Sequence, residues 1–187
     1  ALLTIMQTDI YWVGIGSDRA NDLSNGCLRP KGKGSYTPAE TIKQSRHDDP
    51  YLHVSLDIMT AIRYAHGSGG TPGVLVMLDG HQITQSFHAD NIFDVSTVRG
   101  RQKIGLVESD IAAYWARRDF EVLLKVTSLE KDKGHILGFW DVSTLDLPSG
   151  RKISANDVFH LASHTALQRL FDDVAQAYDS RMQPPPL

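Results

Sequence analysis

The sequence predicts an α+β protein in which short strands, mainly antiparallel, are mixed with short helices. Runs of strand length and strand composition, such as 51–55, 74–78 and 122–127, recur between short helical patterns. A single long amphipathic pattern stands near the C-terminal end. The 187 residues are 41% hydrophobic and 22% charged, which is ordinary for a globular protein, and the length suits one domain with an appendage.

The first part of the chain predicts one strand and two short helices. Residues 3–15 are rich in Ile, Val and aromatic side chains, which indicates a strand. Residues 18–25 suit a short helix, and Gly26 follows it as a helix-ending glycine. A second short helix begins at Pro38, with Thr37 in the N-cap position.

The middle of the chain predicts two more strands with a helix between them. The run Tyr51–Ser55 alternates in polarity, so we expect His53 and Ser55 to share one face of a strand. Apolar residues at helical spacing follow, up to residue 65. The fully apolar run 74–78 indicates a strand in the interior of a sheet.

The last part predicts the remaining elements and the division into domains. Short strands are expected at 91–95 and 135–142, with a helix at 108–117. We expect a domain over 1–150 and an appendage over 151–187, in which an amphipathic helix from about 154 to 181 is followed by a Pro-rich tail. This helix packs on its own domain or docks a binding subunit or other partner.

A pair of carboxylates, Asp119 and Glu121, stands where a helix is predicted to pass into a strand. If the strand begins near Phe120, both acids lie side by side on one face, while Phe120 points into the core. Such a pair suits chemistry in which positive charge develops, as in the cleavage of a glycosidic bond. The alternative is an ordinary strand start in which Arg117 or Arg118 pairs with an acid.

Composition excludes several classes of function. The formal net charge is −3, and no basic stripe predicts binding to duplex nucleic acid. One cysteine, Cys27, permits no intramolecular disulfide or cysteine-based metal cluster, which fits a reducing, cytosol-like compartment. We expect no membrane span, because no run of about 18 apolar residues exists. No metal site is predicted.

Four segments in fixed order carry a family resemblance over residues 11 to 142. They are Gly26-Cys-Leu-Arg-Pro-Lys-Gly, Arg46-His-Asp-Asp-x-Tyr leading into Leu52-His-Val-Ser, Asn91-Ile-Phe-Asp-Val-x-x-Val-x-Gly100, and Asp119-Phe-Glu-Val followed by Gly134-His-Ile-x-Gly-Phe-Trp. In these segments the chain resembles the mono-ADP-ribosyltransferase family, in its cholera toxin and heat-labile enterotoxin branch.

The resemblance implies a fold and an activity. The fold is a split β-sandwich of two small, mainly antiparallel sheets around a cleft for NAD, with helices at the periphery. The activity is that of a glycosyltransferase, which moves ADP-ribose from NAD, as substrate, to a macromolecular acceptor such as a protein. The chain would then be a toxin or secreted effector domain that is delivered into a target cell.

The resemblance also implies roles for individual residues. Glu121 corresponds to the catalytic glutamate, which holds the nicotinamide ribose and stabilises the developing cation. Asp119 corresponds to the neighbouring acid, which orients the acceptor. The segment 99–110 corresponds to the one that shapes acceptor access, and we expect it to be mobile.

The predicted NAD-binding residues include departures from the family pattern. Tyr11 and Trp12 stand where the family has a Tyr-Arg pair, so Arg19 is the candidate replacement for the phosphate-binding arginine. His53 and Ser55 stand at the first and last positions of the family's Ser-Thr-Ser, and we expect both to line the cleft. The missing arginine leaves a second hypothesis open, a non-catalytic module on the same fold that binds a partner protein.

Overall fold

The computed structural model describes residues 10–43, 48–66 and 73–141 of the chain. The strands in these residues are β1 Ile10–Ile15, β2 Cys27–Leu28, β3 Tyr51–Ser55, β4 Val74–Asp79, β5 Ile92–Asp94, β6 Glu121–Lys125, β7 Leu129–Glu130 and β8 Ile136–Asp141. The α-helices are α1 Ala20–Ser24, α2 Pro38–Lys43, α3 Ile58–His66, α4 Gly80–Ser86, α5 Val98–Lys103 and α6 Ile111–Arg118. Short 3₁₀ turns cover Ser17–Arg19, Ala89–Asn91 and Lys131–Lys133.

The strands form two antiparallel sheets, so the predicted α+β class is confirmed. The large sheet has six strands in the order β5-β6-β3-β1-β4-β8, and the small sheet pairs β2 with β7. Every neighbouring pair of strands in both sheets is antiparallel. The two sheets therefore differ in size, with six of the strands in one and two in the other.

Strand β4, in the interior of the large sheet, is covered on both faces. Strand β4 lies between β1 and β8, and its residues from Val74 to Leu78 are at most 3% exposed. A strand with two buried faces has no solvent side, so its residues are apolar in an unbroken run instead of an alternating one. The prediction of an interior strand at 74–78 is therefore confirmed.

Two hydrophobic clusters cover the large sheet and leave a gap between helices. On one face, β1, β3 and β6 contribute residues such as Tyr11, Val54 and Val122 to the larger cluster. On the other face, Tyr51 and Leu123 pack against residues of α2 and α6. Helices therefore cover the second face only in part, and the uncovered floor of β1, β3 and β6 belongs to the site.

Helix α3 packs directly on β1 at Gly14. A Cβ atom at this position would lie 1.9 Å from the carbonyl oxygen of Ala61 and 2.5 Å from the backbone nitrogen of Ala65. Both atoms belong to the backbone of α3, which cannot swing away as a side chain can. The absence of a side chain at Gly14 thus sets the distance between the helix and the strand.

We expect Gly14→Ala to lower the free energy of unfolding by about 1–3 kcal/mol, because α3 must move off the strand to admit the methyl group. Gly16→Ala is the matched control, since its Cβ would first meet the mobile carboxylate of Asp18 at 2.5 Å. Urea unfolding followed by circular dichroism measures both variants. Equal stability of the two would contradict close packing at Gly14.

Several helices begin at an N-cap residue whose side chain accepts a hydrogen bond from a backbone N–H of the first turn. Thr37 Oγ1 accepts from the Glu40 backbone N–H at 3.2 Å, and the Glu40 carboxylate accepts from the Thr37 N–H at 2.8 Å. The predicted N-cap at Thr37 is confirmed, and Glu40 completes a capping box. The carboxylate of Asp110 caps α6 in the same way, by accepting from the Ala112 N–H.

The passage from α6 to β6 differs from the prediction. Strand β6 begins at Glu121, and Asp119 is the C-cap of α6. Phe120 between them has φ 48° and is 50% exposed, so the expectation that it points into the core is wrong. A left-handed residue reverses the chain direction at the helix end, and this turn separates the two acids that a continuous strand would have placed side by side.

The structure contains two helices that the sequence does not predict. Helices α4 and α5 were not predicted, because both are short and polar and show little apolar periodicity. Segment 99–110, expected to be mobile, is helical up to Lys103, and buried Arg101 binds Glu108 across it. The expected helix at 154–181, the Pro-rich tail and the boundary at residue 150 lie outside the described residues and stay predictions.

Candidate functional site

An open cleft of about 1140 Å³ lies over β1, β3 and β6 on the partly covered face of the large sheet. Residues of α2, α3 and α6 border it, and the turn before α1 closes one end. Its charged lining includes Arg19, Lys31, Asp49, Arg118, Asp119 and Glu121. The lining of the cleft therefore carries both carboxylates and cations, which are groups that can fix the orientation of a polar ligand.

The strand register places three lining residues in one row across the floor. Trp12 of β1 is opposite Ser55 of β3, and Ser55 is opposite Glu121 of β6. Directly opposed residues of antiparallel strands have their side chains on the same face. The row therefore unites residues that the sequence predicted separately, and Glu121 lies at its β6 end.

His53 lies between two carboxylates beside this row. Its Nδ1 is 2.5 Å from Oε1 of Glu121, and its Nε2 is 2.5 Å from Oδ2 of Asp49. The Asp49 and Glu121 side chains are 8% and 14% exposed, and that of His53 is 37% exposed. Both ring nitrogens of His53 are thus committed, and one nitrogen holds the predicted catalytic carboxylate.

The charge on His53 follows from these partners. Burial disfavours the imidazolium, but hydrogen bonds and charges from Asp49 and Glu121 outweigh this and raise the pKa of His53 to about 9. Burial likewise favours the neutral form of Asp49, yet the hydrogen bond from His53 lowers the pKa of that carboxyl. At neutral pH the site therefore contains an imidazolium between two carboxylates.

The raised pKa makes this pairing a pH-dependent contribution to stability. An unfolded histidine titrates near pH 6.5. The contribution of the His53 pairs is therefore fully present below about pH 6.5 and is lost as the pH rises through about 9.

Asp119 is buried beside the row and held by three side chains. Its Oδ1 accepts from Arg63 Nη2 at 2.7 Å and from Arg118 Nε at 2.8 Å. Its Oδ2 accepts from Arg118 Nη2 at 3.2 Å and from the hydroxyl of Tyr64. Burial alone would raise the Asp119 pKa, but these donors lower it. The carboxylate links α3 to the end of α6, and Arg118 pairs with it as the alternative interpretation expected.

Ser55 connects the end of β3 to the turn between α6 and β6 through hydrogen bonds to the backbone. Its hydroxyl donates to the carbonyl oxygen of Asp119 at 2.6 Å and accepts from the Asp57 N–H at 2.9 Å. Ser55 is only 5% exposed. Its hydroxyl therefore fixes the turn that delivers Glu121 to the cleft.

Of the remaining predicted site residues, Tyr11 and Trp12 lie on opposite faces of β1, and Arg19 lies in the turn before α1. Trp12 lines the cleft and is 3% exposed, whereas Tyr11 belongs to the hydrophobic cluster on the opposite face. Arg19 lines the cleft at its α1 end and donates to the carbonyl oxygen of Arg29. Burial lowers the pKa of the Arg19 guanidinium, while Asp18 and Asp22 act in the opposite sense.

Three contributors to the site were missing from the predicted set. Asp49 offered a local signal, because it stands four residues before His53 in an acidic motif. Arg63 and Tyr64 offered none, because both bind a carboxylate more than fifty positions away in the chain. Within the described ranges, no group of three His, Cys, Asp or Glu residues has an arrangement that would hold a metal ion.

The comparisons with known proteins add a weak similarity of fold. No protein-family model matches the chain, and no curated protein matches it. Among solved structures the chain is similar to EcPltA, an ADP-ribosyltransferase-like toxin subunit, with a TM-score of 0.46 and 11% identity over 71% of this chain and 75% of that chain. This is at most a likeness of fold and carries no information on activity.

Among the helices of the described residues, none is long and apolar enough to cross a bilayer.

Proposed function

We propose that the chain is an NAD-dependent mono-ADP-ribosyltransferase that acts on a macromolecular acceptor, as a toxin or secreted effector domain. The observation that supports this proposal is the row of Trp12, Ser55 and Glu121 across three strands, with the Glu121 carboxylate at an open cleft. A cleft of about 1140 Å³ lies above the range of about 300–1,000 Å³ that is usual for small-molecule pockets, so it has room for a ligand as large as a dinucleotide. These positions also correspond to those that the family resemblance assigns to the site.

The proposed chemistry uses the negative charge of Glu121. The bond between the nicotinamide nitrogen and the ribose carbon breaks, its electron pair leaves with nicotinamide, and positive charge develops on the ribose. A carboxylate fixed beside this ribose stabilises the charge as it forms. An acceptor nucleophile then bonds to the ribose carbon and releases a proton, and water in its place gives NAD glycohydrolysis.

The proposed ligand also needs cations for its diphosphate. Arg19 and Lys31 line the α1 end of the cleft, and Arg118 lines the wall near α6. Arg118 is committed to Asp119, and we therefore propose Arg19 and Lys31 as the diphosphate partners. In this arrangement Asp119 has a structural role, because both oxygens of its carboxylate already accept hydrogen bonds from side chains of the protein itself.

The test is nicotinamide release from NAD by the purified chain, together with its melting temperature in millimolar NAD. We expect slow release without an acceptor and a higher melting temperature, since a ligand at a hundredfold excess over its Kd stabilises the native state by about 2.7 kcal/mol. Inorganic triphosphate at the same concentration is the control for unspecific anion binding, because it has no nucleoside. Absence of both release and stabilisation would contradict the proposal.

A second candidate function is a non-catalytic module on the same fold that binds a partner protein. Trp12 at the arginine position and the closed contacts around Asp119 favour it, because both reduce the number of charged groups left for NAD. A chain that neither binds nor cleaves NAD, yet stays folded, is the result that this second candidate predicts.

A further inference from the structure

His53 has an arrangement that suggests more than a place in the cleft wall. It lies on β3, with one ring nitrogen on Asp49 in the preceding loop and the other on Glu121 of β6. A histidine whose second nitrogen is bound by a carboxylate has a fixed ring orientation. Asp49 thus orients the ring, and the ring in turn orients Glu121.

From this geometry we infer that His53 is a positioning residue that fixes the Glu121 carboxylate for cleavage of the nicotinamide–ribose bond. The inference deepens the proposed function and rests on it. The bond from Nδ1 goes to Oε1 of Glu121, so the second oxygen of the carboxylate is the one available to the ribose.

Protonation decides whether this arrangement holds. As an imidazolium, His53 donates to both carboxylates at once. As neutral imidazole it has a single N–H, so one nitrogen must present its lone pair to a carboxylate oxygen, which repels it. Asp49 and Glu121 are the groups that favour the charged form. The other charged or titratable groups of the surrounding elements include Arg19, Lys31, Lys43, Tyr64, Arg118 and Asp119.

Two substitutions separate the two bonds of His53. The amide nitrogen of Asn occupies the place of Nδ1, so His53→Asn retains a donor for Glu121 and loses the one for Asp49. The amide nitrogen of Gln occupies the place of Nε2, so His53→Gln retains the donor for Asp49 and loses the one for Glu121. Neither side chain titrates, so both variants remove the protonation step.

We expect His53→Gln to lower kcat for nicotinamide release by about 10²-fold, since a misplaced catalytic group costs that much, with KM for NAD little changed. His53→Asn stays within about tenfold of the wild-type kcat. The wild-type rate falls as the pH rises through about 9, and both variants lack this limb. The reverse order of the two variants, or wild-type kcat in both, would overturn the inference, because a residue that merely anchors Asp49 gives that result.

His81 of α4 is exposed and lies outside the cleft, so His81→Asn and His81→Gln are the matched controls. Both are expected to match the wild-type rate and pH profile. Melting temperatures establish that every variant is folded.

A measurement without turnover separates this inference from the proposed function. In isotope-labelled wild-type chain, the His53 resonance, assigned by its loss in His53→Asn, is expected to titrate near pH 9 and to shift to lower pH in Glu121→Gln. A midpoint near 6.5 overturns the inference even if NAD is cleaved. A wild-type chain that is inactive but titrates near 9 overturns the transferase while supporting the pairing of His53 with Glu121.

Discussion

Replacing Glu121 with Gln is expected to lower kcat for nicotinamide release by at least about 10²-fold, the loss typical when one preorganised electrostatic group is removed. Gln has the same shape, and its carbonyl oxygen can accept from His53 as the carboxylate does. What it lacks is the negative charge beside the ribose. Since that charge interacts most strongly with the developing cation, kcat falls more than affinity for NAD.

Glu130→Gln is the matched control for this experiment. Glu130 lies on β7 in the small sheet, where it pairs with Lys133 at 2.7 Å. The same change of charge is therefore made away from the cleft lining, and we expect kcat to stay at the wild-type value. Quenched-flow or coupled assays of nicotinamide give kcat, and calorimetric titration gives the NAD affinity. Full activity in Glu121→Gln would place the chemistry on another group.

Replacing Arg101 with Met is expected to lower the free energy of unfolding by about 2–4 kcal/mol. The Arg101 side chain is 1% exposed and binds both oxygens of Glu108, at 3.0 and 2.8 Å. Its Nη1 donates to the carbonyl oxygens of Val95 and Ser96 at 3.0 and 2.9 Å. Met fills much of the volume of the Arg side chain but has no hydrogen-bond donor. The two carbonyl groups therefore lose their partner at a buried place where water does not replace it.

Lys103→Met provides the comparison on the same helix. Lys103 is exposed at the end of α5, so a charge is removed there without any loss of buried contacts. We expect a change within about 0.5 kcal/mol for this variant. Denaturant unfolding with a common m-value gives both numbers. Similar stability of Arg101→Met and Lys103→Met would show that the buried guanidinium is not what holds segment 95–108.

Arg101 also connects stability to the site. Its hydrogen bonds stabilise the segment that precedes α6, and Trp115 and Arg118 of α6 line the cleft. A loosened segment allows α6 to shift. We therefore expect Arg101→Met to raise KM for NAD even at temperatures where the chain stays folded.

Much of the fold was predictable because its signals are local. The apolar run at 74–78 predicts an interior strand, since only a strand buried on both faces needs no polar side chains. Thr37 and Pro38 mark a helix start because N-cap chemistry involves residues three positions apart. Helices α4 and α5 escaped prediction because each is short, and tertiary packing stabilises them more than their own periodicity does.

The site was predictable in part. The alternation at Tyr51–Ser55 placed His53 and Ser55 on one face, and both residues line the cleft. The spacing of Asp119 and Glu121 suggested a side-by-side pair, but the chain turns at Phe120, where φ is 48°. That turn puts Asp119 at the end of a helix, where Arg63, Arg118 and Tyr64 enclose it.

The sequence alone determined the α+β class, the interior strand at 74–78 and a strand start close to Glu121, because hydrophobic patterns and turn residues act over a few positions. Only the tertiary structure decided the partners. His53 and Glu121 are 68 residues apart in the chain, and the antiparallel register of β3 and β6 brings them together. Register depends on the packing of whole sheet faces, so no local pattern specifies which cation meets which carboxylate.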